Sequence, residues 1–180
     1  RPAPRPCSTC TATSTATAEL TLTETNTSGA AQAYDFTFEL FDLALSAGYS
    51  FEKDGPLSNP FSDVSSTTSG DRISYEVLLN DVSIFKATAD LFYAGADLFS
   101  VANVSGFTYS LATDAGGFAG VLATASLDDL SRELSLGTFA DGESFTIRTL
   151  LTSTSTALTF EGDNFAGNLA LDPSNLGGAR

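Results

Sequence analysis

The segment TATSTATAELTLTET, residues 11–25, decides the fold class. Its odd positions are all Thr or Glu, and its even positions are mostly Ala and Leu, so the pattern repeats every two residues. That period is typical of a β-strand whose two faces differ. At about 3.3 Å per residue the segment extends roughly 50 Å, whereas a usual strand has about 5 to 6 residues. The surplus length predicts a pairing partner, either within its own sheet or in a neighbouring molecule.

The same alternation recurs along the chain. Residues 32–45, 71–80 and 143–160 alternate apolar and polar side chains, and turns rich in Gly separate strand candidates about every ten residues. With 14 Phe, 5 Tyr and no Trp, Met or His, the composition favours pleated sheets. We predict an all-β protein, an antiparallel β-sandwich of jelly-roll or immunoglobulin-like type. Residues 1–25 are expected to form a Pro-rich arm and a long strand, and residues 26–180 the sandwich domain.

In two segments the alternation is interrupted or fits more than one structure. Ile73, Tyr75, Val77 and Leu79 are predicted to face the core, and a phase shift at Asn80-Asp81 predicts that Val82 and Ile84 also face inward. Residues 126–136 (SLDDLSRELSL) fit a helix as well as a strand, because their Leu residues suit both periods. We expect a short turn or helix at the start of this segment and a strand at its end.

Charge and hydropathy limit the partners and the cellular location that we predict. The chain has 22 acidic and 8 basic residues, a net charge of −14, which repels phosphate backbones and predicts no nucleic-acid partner. There is no apolar run of about 18 residues that would span a membrane. The start at Arg1 within a Pro-rich run predicts a chain from which a signal peptide has been removed, so we expect an extracellular or cell-surface location.

Cys7 and Cys10 are the two cysteines of the chain. A zinc site lacks the other two ligands, and a thioredoxin-like motif needs a βαβ context that the pattern does not offer. In an oxidising compartment a small disulfide loop between Cys7 and Cys10 is the favoured interpretation, with an intermolecular disulfide as the alternative.

No catalytic site or cofactor is predicted. A triad with His is impossible because the chain contains none, and neither Lys53 nor Lys86 lies in a Ser-x-x-Lys motif. Calcium is the one ion that the acidic residues leave open, although their spacing matches no EF-hand. The oxygen ligands would come from one of two groups. The first is Asp54, Asn59, Asp63 and Asp71, and the second is Glu161, Asp163 and Asn164.

Residues 134–173 resemble the C-terminal half of the β-sandwich domains of bacterial exported PEP-CTERM proteins. In that family a Leu-Gly turn ending in Gly-Glu leads into a Thr-rich strand and later an Asp-Pro. The matching residues here are Leu136, Gly137, Phe139, Gly142, Glu143, the strand 144–159 and Asp172-Pro173. The family's Pro-Glu-Pro motif is not found within residues 134–180. The resemblance covers about a quarter of the chain and implies export to a cell surface or extracellular matrix.

The overall plan also resembles donor-strand subunits of secreted matrix fibres and pili, in which an extended strand completes the neighbouring subunit. Such strands bind through the unpaired backbone groups of a sheet edge. We therefore expect a structural subunit of a self-assembling filament, pilus or biofilm matrix, whose partners are copies of itself. The alternative is a carbohydrate-binding or adhesin module that binds extracellular polysaccharide through the loop 53–70. The residues assigned to the assembly strand are Thr11, Thr13, Ala16, Ala18, Leu20 and Leu22.

Overall fold

The computed structural model describes residues 9–50, 70–95, 98–115 and 120–160, and this part of the chain contains strands and turns but no helix. All strand pairs are antiparallel, and the predicted all-β sandwich is confirmed. The strands are β1 (Thr9–Thr25), β2 (Gln32–Leu40), β3 (Ala44–Ser50), β4 (Gly70–Leu79), β5 (Val82–Gly95), β6 (Leu98–Ser105), β7 (Tyr109–Ala115), β8 (Gly120–Leu127), β9 (Leu130–Phe139) and β10 (Ser144–Phe160).

The strands form two layers. One is a five-stranded sheet in the order β1-β10-β4-β5-β6. The other contains β2 paired with β9, and β3-β8-β7. β3 follows β2 in the chain, and β9 follows β8, so the β3–β8 pair continues the β2–β9 pair. Between the two pairs the amide of Leu127 donates a 2.9 Å hydrogen bond to the carbonyl of Leu43. The second layer is therefore continuous, and narrower than the first.

The core lies between the layers and follows the alternation of the sequence. Phe38 of β2 is 1% exposed, and its ring centroid lies 5.0 Å from that of Tyr75 and 5.2 Å from that of Phe85. Small buried residues in both layers let the two sheets approach closely. These are Ala87 and Ala89 in β5 and Ala123 and Ala125 in β8, all 0% exposed.

The prediction that Val82 and Ile84 face inward is wrong. Asn80 and Asp81 both have positive φ, 49° and 66°, as a tight type I′ hairpin turn requires. A register shift then occurs after Val77, which pairs with Phe85. The bulge leaves Val82 65% and Ile84 37% exposed. The extra residue puts Ile84 out of phase with Phe85, Ala87 and Ala89. Val82 lies opposite Leu79 beside the hairpin turn and is exposed at this end of the sheet.

The segment 126–136 contains no helix. β8 ends at Leu127, Asp128 and Asp129 form the connection, and β9 begins at Leu130. Leu127 and Leu130 are both buried because each is the terminal inward residue of its strand. The chain does not reverse at Asp128 and Asp129, because β9 continues along β2 where β8 leaves β3. The expected turn or helix at the start of the segment is therefore wrong, and the expected strand at its end is confirmed.

Candidate assembly strand

β1 forms one edge of the five-stranded sheet and pairs only with β10 among the described strands. The pairing runs without a register shift from Thr9 opposite Phe160 to Thr25 opposite Ser144. The predicted arm, residues 1–8, lies outside the described residues. The long strand therefore has its pairing partner within its own chain, and its other edge carries unpaired backbone N–H and C=O groups within the described structure.

The odd residues of β1 face outward, and four of them pair hydroxyl to hydroxyl with β10. Thr11 and Thr13, both assigned to the assembly strand, lie on this face opposite Leu158 and Thr156. Cross-strand hydroxyl pairs of this kind each contribute a fraction of a kcal/mol and specify register. The oxygen separations are 3.3 Å for Thr15–Thr154, 3.4 Å for Thr17–Thr152, 3.1 Å for Thr23–Thr146 and 2.8 Å for Thr25–Ser144.

The even residues of β1 share the inner face of the sheet, yet they remain exposed. Leu20 is 50% and Leu22 44% exposed, whereas their opposite residues on β10, Thr149 and Ile147, are buried. Ala16 and Ala18 lie on the same face, opposite Ser153 and Leu151, and are exposed as well. The second layer thus covers β10 but stops short of β1. Ala16, Ala18, Leu20 and Leu22 form an uncovered apolar strip, which we call the β1 strip.

The C-terminal end of β1 is fixed by Asn26, a residue that the sequence analysis did not identify. Asn26 is 0% exposed, and its amide nitrogen donates to the carbonyls of Ala30 (2.7 Å) and Phe139 (2.8 Å). Its backbone exchanges hydrogen bonds with the β9–β10 turn, through Glu143 O and Gly142 N. The strand is therefore anchored at one end and held along its length by β10 alone.

The β9–β10 turn gives a structural reason for the Gly-Glu motif. Gly142 has φ of 79°, a left-handed conformation that favours glycine, and a carboxylate oxygen of Glu143 accepts a 2.8 Å hydrogen bond from the amide of Ala140. Phe139 stacks on Phe145 with ring centroids 4.2 Å apart. These residues set the turn from which β10 starts, beside the anchor of β1.

Arg148 makes two exposed ion pairs on the outer face. Its Nε lies 3.7 Å from Glu19 of β1, and its second terminal nitrogen lies 3.4 Å from Asp81 of the β4–β5 turn. Exposed pairs at these distances stabilise little. They place one positive charge between Glu19 and Asp81, which partly offsets the negative charge in the middle of β1.

Asp71 is the second residue that the sequence analysis missed as a buried group. It is 4% exposed on the inner face of β4, opposite Ser155 of β10. Burial raises the pKa of Asp71 to about 6, although hydrogen bonds from the Ser155 side chain and the Ser46 backbone oppose this rise. Asp71 has the same parity as Ile73 and Tyr75, so its inward direction could have been read from the alternation.

Asp71 was also one of the predicted calcium ligands. In the described residues no three Asp, Glu, Cys or His side chains lie close enough together to hold a metal ion. The other six predicted oxygen donors lie outside the described residues. Cys7 does too, and Cys10 lies in β1 opposite Thr159, so the disulfide with Cys7 stays a prediction.

A groove of ≈ 440 Å³ lies on the outer face of the sheet, over β4, β5 and β6. Asp90 accepts hydrogen bonds from Arg72 Nε and Nη2, both 2.7 Å, and from Asn103 Nδ2 at 2.6 Å. Burial raises the pKa of Asp90, but the hydrogen bonds from Arg72 and Asn103 and the charge of Arg72 outweigh it and lower the pKa overall. Gly70 lies opposite Phe92 in the groove, and because glycine has no side chain, the position beside Phe92 stays open.

Comparison with known protein families, curated proteins and solved structures found no match to this chain. None of the described elements is a helix with the length and hydropathy needed to cross a membrane.

Proposed function

We propose that the protein is an extracellular structural subunit that assembles into a filament, pilus or matrix fibre by donating β1 to the next copy. The single observation that carries this proposal is the attachment of β1. Among the described strands it packs substantially against β10 alone, and both of its faces are exposed from Thr11 to Thr25. A strand held by one ladder can be exchanged between copies without uncovering the rest of the core.

Exchange can re-form the contacts that β1 makes with β10 along its length. If β1 of one copy pairs with β10 of another in the same register, the Thr15–Thr154 and Thr17–Thr152 hydroxyl pairs form again between the two molecules. Swapping an identical element between copies therefore costs little beyond a change of direction at the hinge. The hinge is Thr25, because Asn26 remains bonded to Phe139 of its own copy.

The exchange is directional, which suits a polymer. Each copy gives one β1 and offers one β10 edge, and these surfaces differ, so the contact is heterologous and extends into a filament wherever the rotation between copies does not close a ring. The buried residues of β10, among them Phe145 and Ile147, supply the apolar side of the acceptor. A copy without β1 would leave that edge unpaired and ready to bind the strand of a neighbour.

Two single-cysteine variants test the exchange. Thr15→Cys and Thr154→Cys are each placed in a chain carrying Cys7→Ser and Cys10→Ser, unfolded, mixed, refolded together and oxidised. The two side chains are within disulfide reach only where β1 of one copy lies on β10 of another. An intermolecular Thr15→Cys–Thr154→Cys disulfide supports strand donation.

The double variant carrying both cysteines in one chain is the matched control, because its internal disulfide reports pairing of β1 with β10 of the same chain. If it closes its internal disulfide completely while the mixture yields no heterodimer at any concentration, strand donation is wrong. Electron microscopy of the secreted protein provides the second readout, since donated strands predict filaments.

A carbohydrate-binding function is the second candidate, and the outer-face groove favours it. A carboxylate, a guanidinium and a side-chain amide converge at Asp90, beside the ring of Phe92 in the same groove. Polar groups that fix orientation next to an aromatic ring are the usual elements of a small-ligand site. The predicted loop 53–70 lies outside the described residues, apart from Gly70. A glycan array with and without calcium tests this function, with Phe92→Ser as the control; silence of the parent protein in both conditions counts against it.

A further inference from the structure

We infer that the free edge of β1 is an interaction surface for a second copy of this chain, which pairs β1 with β1 in antiparallel fashion about a two-fold axis at Thr17. This pairing uses the edge of β1 opposite to β10. It therefore goes beyond strand donation, and it can form whether β1 pairs with β10 of its own chain or with β10 of a neighbouring copy.

The two edges of the five-stranded sheet differ in how well they are protected. β6, the far edge, has 8 residues, register shifts against β5 after Thr88 and after Tyr93, and a left-handed Asn103 with φ of 50°. Short length and bulges are the usual means by which proteins block pairing at an edge. β1 has 17 residues, a continuous register and no Pro or Lys. Of these two edges, as far as the structure describes them, β1 is the one that offers a regular row of backbone groups to another strand.

Pairing centred on Thr17 matches large side chains with small ones. On the inner face Leu20 of one copy lies opposite Ser14 of the other, and Leu22 opposite Ala12. Ala16 lies opposite Ala18. Each exposed leucine of the β1 strip thus gains a small neighbour beside it, and the two strips become one apolar surface on the inner face.

Charge and hydroxyl positions agree with the same register. On the outer face Thr residues lie opposite Thr residues, except that Glu19 lies opposite Thr15. Glu24 lies opposite Cys10, so no carboxylate of one copy faces a carboxylate of the other. A shift that placed Glu19 opposite Glu19 would put like charges together and would shorten the paired length.

The size of the contact lies at the lower end of the range of specific interfaces. A strand of 17 residues at about 3.3 Å per residue is roughly 55 Å long, and a sheet is about 10 Å thick, so the pair buries on the order of 1,100 Å² in total. Stable interfaces begin near about 1,000 to 1,200 Å². The net charge of −14 on each copy opposes association, so salt should strengthen the dimer.

Disulfide trapping tests the register. In the Cys7→Ser, Cys10→Ser chain, Thr17→Cys places two cysteines directly opposite each other across the two-fold axis. Thr15→Cys is the matched control on the same face, because pairing about Thr17 separates its two copies by about 13 Å, beyond disulfide reach. We expect Thr17→Cys to give at least about tenfold more covalent dimer than Thr15→Cys under mild oxidation.

The outcomes separate this inference from strand donation. Exchange brings Thr15 to Thr154 and never brings Thr17 to Thr17, so either result can hold without the other. Equal crosslinking of Thr17→Cys and Thr15→Cys, or dimer from neither while circular dichroism shows both folded, overturns the inference. Preferential crosslinking of Ala18→Cys over Thr17→Cys overturns the register.

Discussion

The side-chain amide of Asn26 donates a 2.8 Å hydrogen bond to the carbonyl oxygen of Phe139, 113 residues further along the chain. The bond joins the end of β1 to the end of β9, and it lies beside the turn that starts β10. Asn26 also accepts a hydrogen bond from the amide of Ser28 at 3.1 Å. A single fully buried side chain therefore holds together three segments that meet at this end of the sandwich.

Replacing Asn26 with Ala should destabilise the fold by about 2 to 4 kcal/mol. The substitution leaves the buried carbonyl of Phe139 without its side-chain donor and removes the acceptor of the Ser28 amide, and unsatisfied buried groups cost about 1 to 3 kcal/mol each. Urea unfolding at neutral pH measures the difference. Thr27→Ala, at an exposed neighbouring position, is the control and should lie within about 0.5 kcal/mol of the parent. A loss below about 1 kcal/mol for Asn26→Ala would contradict the anchoring role.

Asp71 should make stability rise as the solution becomes mildly acidic. Its folded pKa of about 6 lies above the ordinary value of 3.8, so the folded protein binds this proton more tightly than the unfolded chain. The resulting stabilisation is complete below pH 3.8 and is lost as the pH rises through 6. Between pH 7.5 and 5 it amounts to roughly 1.4 kcal/mol.

The measurement is the difference between the parent and Asp71→Asn in urea unfolding at several pH values. Other carboxylates titrate in both proteins, so only the difference reports Asp71. The parent should gain about 1.4 kcal/mol relative to the variant from pH 7.5 to pH 5. Asp90→Asn is a control of opposite sign, because the lowered pKa of Asp90 gives stability that is lost as the pH falls through it. Parallel pH curves for the parent and Asp71→Asn would rule out a raised pKa.

Alternation of side chains was sufficient to predict the class of fold and most inward positions. Ile73, Tyr75 and Val77 are buried as predicted, because they belong to a strand without interruption up to Val77. The prediction failed at Ile84, where a bulge that no residue type announces reverses the phase. Local pattern determines which face a residue takes only as long as the register is continuous.

The position of β1 could not be predicted from its sequence. Its length and alternating composition predicted a long strand that pairs with another strand. The pairing with β10 depends on Thr and Ser residues 119 to 139 positions away. The burial of Asn26 likewise depends on Phe139 and Glu143. Sequence periodicity gives no information about such distant pairs, since it describes each strand separately.

Leu22 and Ile147 lie opposite each other on one face of the sheet, yet truncating them should have unequal effects. Ile147 is 4% exposed, and Ile147→Ala should cost about 2 to 4 kcal/mol through lost burial and a residual cavity. Leu22 is 44% exposed in the single chain, so Leu22→Ala should cost less than about 1 kcal/mol in dilute solution. Urea unfolding at micromolar concentration measures both.

The same pair reports whether the β1 strip becomes covered. If a second copy packs beside Leu22, the cost of Leu22→Ala should grow with protein concentration, because binding to the folded state adds to stability by mass action. The cost of Ile147→Ala should change less, since the second layer already covers Ile147 in the single chain. A Leu22→Ala penalty that stays constant from micromolar to millimolar concentration would mean that the strip remains exposed to water.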